Sequence, residues 1–240
     1  MPVFDFSGRR ALLTGANGGI GQAISEGLLA AGAQVTTADR EKADFPGDLT
    51  DGAYCDDLPA LAAEKMGGLD IVINNAGVMR RGLITQASDG DFDISMAVNV
   101  EAPFRICRAA IPILAKEGGG AIVNTASCWG IHPGPNHPIY CMTKAAVASL
   151  TQCLGRDHAH QGIRINGVCP NEVDTPMLRS GFEVRGLDPN RAIEDLNASV
   201  PIGHIAKPDE IADVVLFLAS DQARYICGAL VEVNGGKPVI

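Results

Sequence analysis

The chain has 240 residues, of which 46% are hydrophobic and 20% are charged, so it can bury a sizeable core and fits one large domain, residues 1–240. Its formal net charge of -9 argues against a non-specific nucleic-acid binder, because that function needs clustered lysines and arginines. No apolar run reaches the ~18 residues of a membrane span, and the N-terminal sequence lacks the order of a signal peptide.

The seven cysteines are dispersed without a CxxC pair, and with the five histidines they show no metal-ligand spacing. An odd, scattered set of cysteines without a secretion signal is typical of reduced thiols. We therefore expect a cytoplasmic protein that binds no metal and has neither nucleic-acid nor membrane partners.

The first structural signal is the apolar run Arg10–Thr14, followed by the glycine-rich segment Gly15–Gly21 and a helical pattern that continues to Ala31. A strand, a glycine turn and a helix in this order favour dinucleotide binding, because glycines let the backbone approach a pyrophosphate at the helix N-terminus. The spacing is GxxxGxG instead of GxGxxG, so the common fingerprint does not apply as written. A glycine turn that binds nothing is the alternative.

The second predicted strand, Gln34–Ala38, ends in Asp39, whose carboxylate is placed to accept hydrogen bonds from an adenosine ribose. That carboxylate would repel a 2′-phosphate, so NAD is favoured over NADP, although Arg40 could pair with such a phosphate. Only nine positions separate Asp39 from Asp48, which is too short for a crossover helix. We expect a truncated connection that leaves Asp48 and Leu49 near the adenine edge.

Later segments alternate between helix and strand signals. The segment Asn74–Gly77 closes a buried strand with small residues, and Asn99 lies within a long helical region. Residues Leu178–His204 have mixed polarity and an irregular pattern, which predicts a mobile substrate lid over about 178–204. The predicted helices are Asp51–Met66, Ser88–Lys116, Ile139–His160 and Ala206–Ser220, and the predicted strands are Leu69–Asn74, the end of Gly118–Ser127, Arg164–Pro170 and Ala229–Val233.

A possible catalytic set lies in Ser127–Lys144. Helical spacing puts Tyr140 and Lys144 on one face, and an ammonium at ~4 Å favours the phenolate by roughly 4 kcal/mol at an effective dielectric of about 20. We therefore expect Lys144 to lower the pKa of Tyr140, and Ser127 to hold the substrate oxygen. An ordinary surface Tyr and Lys is the alternative, but ligands bind at the carboxyl ends of parallel strands, where Ser127 would join the glycine turn and Asp39.

These motifs together resemble the short-chain dehydrogenase/reductase family of the TGxxxGIG and YxxxK type, and the similarity extends from Ser7 to Gly236. The resemblance implies an α/β fold with a Rossmann-like, doubly wound parallel sheet and helices on both faces. It also implies an NAD(P) cofactor and a homotetramer or homodimer. The matching motifs are TGANGGIG at Thr14–Gly21, NNAG at Asn74–Gly77, YCMTK at Tyr140–Lys144 and PNEVDT at Pro170–Thr175.

The resemblance assigns a role to each matching residue. Tyr140 is the expected acid/base, Lys144 holds the nicotinamide ribose, Ser127 orients the substrate oxygen and Asn99 sustains a proton-relay water. The expected cofactor contacts, besides Tyr140 and Lys144, are Gly15, Asn17, Gly19, Ile20, Gly21, Asp39, Asp48, Leu49, Asn75, Ala76, Gly77, Pro170, Val173 and Thr175.

Substrate contacts are expected from Ser127, Tyr140, Trp129, His137 and Asn171, the last standing where the family usually has glycine. Trp129 could stack on a sugar or ring, or pack at a subunit contact, and His137 could bond a hydroxyl or be solvated. The polar side chains favour a small polyhydroxylated or cyclic alcohol. Further candidates are Cys128, His132, Glu172, Met177, Arg179 and Arg185.

The resulting prediction is NAD-dependent hydride transfer between a small polar secondary alcohol, or its ketone, and nicotinamide. One alternative is a 3-oxoacyl carrier-protein reductase that uses NADPH. The net charge of -9 and Asp39 argue against it, because an acidic carrier protein and NADPH favour basic residues. A second alternative is a nucleotide-sensing module without turnover, which would not need Asn99, Ser127, Tyr140 and Lys144 together.

Overall fold

The computed structural model of the protein describes residues 4–237; residues 1–3 and 238–240 of the expected domain lie outside the described residues. A parallel sheet of seven strands has the order β3-β2-β1-β4-β5-β6-β7. The strands are β1 (Arg10–Thr14), β2 (Gln34–Asp39), β3 (Phe45–Pro46), β4 (Ile71–Asn74), β5 (Gly120–Thr125), β6 (Ile163–Pro170) and β7 (Leu230–Val233).

Helices cover both faces of this sheet, as expected for a doubly wound fold. The α-helices are α1 (Gly19–Ala30), α2 (Gly52–Met66), α3 (Asp89–Met96), α4 (Ala102–Lys116), α5 (Cys128–Ile131), α6 (Pro138–His158), α7 (Pro176–Glu183), α8 (Pro189–Ser199) and α9 (Pro208–Ala219). None of the helices within residues 4–237 combines the length and apolar character that a membrane-spanning segment requires.

Two hydrophobic cores follow from the alternation of side chains along the strands. In β1, Leu12 packs with α2 and α4 on one face, whereas Leu13 packs with α1 and α9 on the other. In β4, Val72 packs in the core that contains Leu12, and Ile73 packs in the core that contains Leu13. The sheet is therefore buried on both faces, and its strand ends remain for ligand contacts.

The connection between β2 and β3 is truncated, as the sequence predicts. Only residues 40–44 join the two strands, and Ala38 pairs with Phe45 in parallel register. The carboxylate of Asp44 accepts hydrogen bonds from the Thr37 amide and hydroxyl, both at 2.9 Å, and also pairs with Lys65. These contacts hold the short loop without a helix, so that β3 forms beside β2.

The long helical region expected over Ser88–Lys116 is present, and a π-helical segment, Ala97–Glu101, lies within it between α3 and α4. The segment 178–204, whose sequence pattern is irregular, contains most of α7 and all of α8, and its expected role as a mobile substrate lid stays a prediction. Each of these two helices begins with proline after a capping residue, and they bury a small cluster of their own formed by Phe182, Ile193, Val200 and Ile205.

Candidate active site

The glycine-rich turn joins β1 to the start of α1. Gly15 has a φ of 67°, and a side chain on Gly21 would lie 2.0 Å from the Gly15 carbonyl oxygen. The N-cap residue Gly18 offers no side-chain cap, and the first turn of α1 carries no acidic residue. The exposed backbone N–H groups of this helix start suit the pyrophosphate of a dinucleotide, because they carry the positive end of the helix dipole.

The loop after β4 is fastened to this turn. The Thr14 hydroxyl accepts hydrogen bonds from the amides of Asn75 and Ala76, at 3.2 and 3.3 Å. The Asn75 side chain donates in return to the carbonyl of Gly15, at 3.0 Å. A side chain on Gly77 would meet Lys144 Nζ at 3.3 Å, so only glycine leaves the space next to the lysine open.

Asp39 lies at the carboxyl end of β2, beside the glycine-rich turn. Its carboxylate accepts hydrogen bonds from the Asn17 and Arg40 amides, at 2.9 and 2.7 Å. Asp48 and Leu49 lie two and three positions beyond the end of β3. The Asp48 carboxylate accepts a hydrogen bond from the Thr50 amide, and Leu49 packs on the core beneath α2 and α4. The expected ribose and adenine contacts therefore come together at one end of the sheet.

The opposite end of the predicted cofactor site is formed after β6. Thr175 caps α7 through its hydroxyl, and its methyl group lies 3.1 Å from the position of a side chain on Gly19. The start of α7 thus packs on the start of α1. The Thr125 hydroxyl oxygen is buried and has no hydrogen-bond partner among residues 4–237, although Thr125 lines the adjoining cavity. The open glycine positions and this unpaired oxygen fit a nicotinamide dinucleotide.

Ser127 lies just beyond β5, where it caps the short helix α5. Its hydroxyl oxygen accepts from the Trp129 amide at 3.1 Å, and the hydroxyl donates to the Pro170 carbonyl at 3.4 Å. The side chain is 4% exposed, so the orientation of its hydroxyl is set by the protein. This fixed hydroxyl is suited to orient a substrate oxygen.

Tyr140 and Lys144 are one turn apart on α6, and Lys144 Nζ lies 5.9 Å from the centre of the Tyr140 ring. Burial raises the pKa of Tyr140 to about 12, against the lowering effects of the Ser127 hydrogen bond and the Arg81 charge. This is opposite to the direction expected from the Tyr–Lys spacing. Burial also lowers the pKa of Lys144 to about 8, and its ammonium donates to the Thr125 carbonyl at 2.7 Å.

Asn99 lies within the π-helical segment and is 1% exposed. Its side-chain oxygen accepts from the Val78 amide, and its amide group donates to the Val78 carbonyl, both at 2.8 Å. The second amide hydrogen is donated to the Thr143 hydroxyl at 3.1 Å. Asn99 therefore ties the loop after β4 to helix α6, and its expected role with a relay water stays a prediction.

A cavity of about 340 Å³ joins these groups. Trp129, His137 and Asn171 form one wall, where the Trp129 indole donates to Asn171 Oδ1 at 3.3 Å and contacts the His137 ring edge-on, with centroids 4.5 Å apart. Burial lowers the pKa of His137. The predicted site residues that line the cavity are Ile20, Asn75, Gly77, Ser127, Trp129, His137, Tyr140, Lys144, Pro170, Asn171, Val173 and Thr175.

Other specificity candidates divide between the cavity and its surroundings. Glu172, Met177 and Arg185 line the cavity. His132 instead faces Glu232 at 3.3 Å, and Arg179 is paired with Asp174 at 2.7 Å. The seven cysteines are free, and Cys128 donates to a backbone carbonyl in the core.

Several cavity residues were not anticipated from the sequence. Arg81, Thr125, Phe182 and Leu196 line the cavity, in addition to the residues named above. Arg81 follows the NNAG motif by four positions, in a Met-Arg-Arg sequence. The basic pair Arg80–Arg81, separated from the NNAG motif by two residues, is the signal that could have identified it. The apolar pair belongs to α7 and α8, whose helical nature was itself missed.

The chain is similar to known oxidoreductases along almost its whole length. A family model described as Enoyl-(Acyl carrier protein) reductase matches residues 15–237. A 3-oxoacyl-acyl-carrier-protein reductase of Thermotoga maritima is 31% identical over 246 residues, covering 95% of this chain and 97% of that protein. A 4-formylbenzenesulfonate dehydrogenase of Comamonas testosteroni is 34% identical over 247 residues, with 95% and 97% coverage.

A solved structure has the same fold. The ligand-free aldohexose dehydrogenase of Thermoplasma acidophilum has a TM-score of 0.93 at 29% identity, covering 99% of this chain and 97% of that chain. An uncharacterised oxidoreductase of Thermotoga maritima, 32% identical over 253 residues, covers 98% of this chain and 100% of that protein. The chain is therefore an oxidoreductase that belongs to the short-chain dehydrogenase/reductase family, whose members use nicotinamide cofactors.

Proposed function

We propose that this protein is an NAD-dependent dehydrogenase that interconverts a small polar secondary alcohol and its ketone. The observation that carries the proposal is the meeting of Ser127, Tyr140 and Lys144 in one cavity at the strand ends. The nicotinamide, when bound, supplies or accepts the hydride. The volume of about 340 Å³ supports a small substrate.

In this proposal Tyr140 moves the proton of the substrate oxygen. With a pKa of about 12 its hydroxyl is protonated at neutral pH, which suits it to donate to a carbonyl oxygen. Ser127 holds that oxygen through its fixed hydroxyl. Lys144, held by the Thr125 carbonyl, presents a positive charge next to the open position at Gly77.

The choice of NAD rests on Asp39. Its carboxylate accepts from the Asn17 amide, so a negative charge is fixed between the glycine-rich turn and the end of β2. A 2′-phosphate there would face an anion, whereas ribose hydroxyls would find a hydrogen-bond acceptor. Arg40, which is exposed, remains the residue that would favour NADP.

The test compares the wild type with Tyr140→Phe, by absorbance of the reduced nicotinamide, using NAD or NADP and a panel of sugars, hydroxy acids and cyclic alcohols. We expect turnover with NAD and a loss of at least about 100-fold in kcat for the variant, the range of general acid–base catalysis. Ser199→Ala, outside the cavity lining, is the control and should keep wild-type turnover. Equal turnover by Tyr140→Phe would refute the proton-transfer role.

The same assay separates the alternatives. The relative named as a 3-oxoacyl-acyl-carrier-protein reductase favours a ketoreductase, which predicts activity with a 3-oxoacyl thioester and NADPH in preference to NAD and small alcohols. A nucleotide-sensing module predicts cofactor binding without Tyr140-dependent turnover of any substrate.

The homotetramer is also a proposal, and exposed apolar side chains on neighbouring helices support it. Phe92 on α3, Phe104 on α4 and Met142 on α6 are 44%, 44% and 46% exposed. Light scattering should give about four times the chain mass of 25.0 kDa, and a monomer would refute this assembly. Free cysteines support the proposed cytoplasmic setting.

A further inference from the structure

Two arginines meet at the mouth of the active-site cavity. Arg81 comes from the loop after β4, and Arg185 follows the end of α7. The guanidinium carbon of Arg81 lies 2.7 Å from the position that a side chain on Gly181 would occupy, and Arg185 Nε donates to the Gly181 carbonyl at 3.0 Å. Both guanidinium groups are therefore gathered around one glycine.

Neither arginine has a carboxylate partner within residues 4–237. Among the other arginines within residues 4–237, the partly buried Arg164 donates to four backbone carbonyls. Four more arginines also have no ion pair but lie outside the cavity lining, namely Arg40, Arg156, Arg191 and Arg224. The arginines in ion pairs with carboxylates are Arg9, Arg10, Arg80, Arg105, Arg108 and Arg179. Partial burial and the charge of Arg185 lower the pKa of Arg81, so the two charges repel each other.

The cavity provides nothing that neutralises this pair. Glu172 is the only acidic residue in the described lining, and its carboxylate is bound to Lys237 at 2.8 Å. Lys144 adds a third positive group, and His137 stays neutral near pH 7 because its pKa is lowered. A protein with a net charge of -9 thus concentrates unpaired positive charge at its substrate site.

We propose that Arg81 and Arg185 bind a carboxylate of the substrate, so that the enzyme acts on a small hydroxy acid or the corresponding keto acid. This rests on the dehydrogenase function proposed above and names its substrate class. Guanidinium groups match carboxylates geometrically and bind them through charge-assisted hydrogen bonds.

The two arginines come from different parts of the fold, which gives the carboxylate a second role. Arg81 belongs to the loop that Asn99 ties to α6, whereas Arg185 belongs to the segment of α7 and α8. A carboxylate bound by both would join this segment to the body of the protein. The substrate oxygen would then lie inward, at Ser127 and Tyr140, with the acid group at the mouth.

The experiment uses Trp129 as a reporter, because it is the only tryptophan and it lines the cavity. Its fluorescence is followed while the enzyme with NAD is titrated with butyrate, with neutral butyramide of the same size, or with inorganic phosphate. The variants are Arg81→Gln and Arg185→Gln. The matched control is Arg191→Gln, which removes the same charge from an exposed position on α8 outside the cavity lining.

We expect saturable binding of butyrate, at least about tenfold weaker binding of butyramide, and a loss of at least about tenfold in butyrate affinity for each cavity variant, the effect of one charge-assisted hydrogen-bonded pair. Arg191→Gln should bind butyrate as the wild type does. Among active substrates, the cavity variants should raise KM for hydroxy acids without raising it for neutral alcohols.

Equal binding of butyrate and butyramide, unchanged butyrate affinity in both cavity variants, or binding of phosphate alone would overturn the carboxylate site. The proposed function fails in a different way. Tyr140→Phe should bind butyrate normally, so absence of Tyr140-dependent turnover with intact butyrate binding would remove the dehydrogenase proposal and leave the site. Turnover of hydroxy acids with unchanged KM in both cavity variants would do the reverse.

Discussion

Burial shifts the pKa values of Tyr140 and Lys144 on α6 in opposite directions. The pKa of Tyr140 rises to about 12 and that of Lys144 falls to about 8, so each group disfavours its charged form. At neutral pH the Tyr140 hydroxyl keeps its proton, while burial of the Lys144 ammonium lowers the stability of the folded state. In the proposed reaction, proton donation by Tyr140 would therefore start from the protonated form that is stable at neutral pH.

The cost of burying Lys144 gives a testable dependence of stability on pH. The pKa of Lys144 is about 8 in the folded protein and ordinarily 10.5, so between these pH values the unfolded chain binds a proton at Lys144 that the folded chain does not. The free energy of unfolding therefore increases as pH rises through this range. The full gain is about 3 kcal/mol for a shift of this size. Lys144→Met lacks this contribution.

We therefore expect the free energy of unfolding of the wild type, minus that of Lys144→Met, to increase by up to about 3 kcal/mol between pH 7 and 10.5. Urea denaturation of both proteins across this range measures the difference. Thiols and tyrosines titrate in both proteins and cancel. A difference that does not change with pH would show that the lysine is not shifted.

At the scale of single residues the sequence predicts that Ser127, Tyr140 and Lys144 come together, but not their electrostatics. Tyr140 and Lys144 follow from helical spacing, and Ser127 follows from the end of a strand. The pKa directions depend on burial by distant segments, such as the Thr125 carbonyl that holds Lys144. Arg81 was missed because the pair Arg80–Arg81 does not indicate which arginine faces the cavity until α7 packs beside Arg81.

Among the elements, the junction between β1 and α1 is closely packed. A side chain on Gly21 would lie 2.0 Å from the Gly15 carbonyl oxygen, whereas one on Gly18 would lie at an ordinary 3.5 Å. We expect Gly21→Ala to lower the free energy of unfolding by about 3 kcal/mol, and Gly18→Ala by less than about 1 kcal/mol.

Urea denaturation of the two variants beside the wild type checks this comparison. If Gly21→Ala is as stable as Gly18→Ala, helix α1 does not pack on the glycine-rich turn in the way described. The difference in free energy of unfolding between the two variants is more informative than either value, because both variants replace glycine by alanine in the same turn.

Strands in the centre of the sheet are predictable because they are continuous apolar runs, as in β4. The helices α7 and α8 were not predicted, since each buries only one side, and their contacts are with each other more than with the main cores. Their starts nevertheless carry a readable signal: Thr175 and Asp188 are capping residues followed directly by proline. The two-residue strand β3 has no such signal, because it depends on Asp44.

For the whole molecule, the sequence predicts the architecture well. The doubly wound order follows from the alternation of strand and helix signals, and the two cores follow from alternating side chains such as Leu12 and Leu13. The site at the carboxyl ends of the strands follows from that topology. The distribution of charge does not, because a net charge of -9 gives no indication that positive groups collect at one cavity.

The short strand β3 also affects whether this edge of the sheet can pair with strands of other chains in concentrated solution. An open sheet edge is a template for aggregation, since unpaired N–H and C=O groups can pair with another chain. Here the edge strand is only Phe45–Pro46, Pro46 has no N–H to offer, and the next edge donor, the Thr37 amide, is taken by the charged Asp44. The truncated connection between β2 and β3 thus also protects this edge from amyloid-like strand addition.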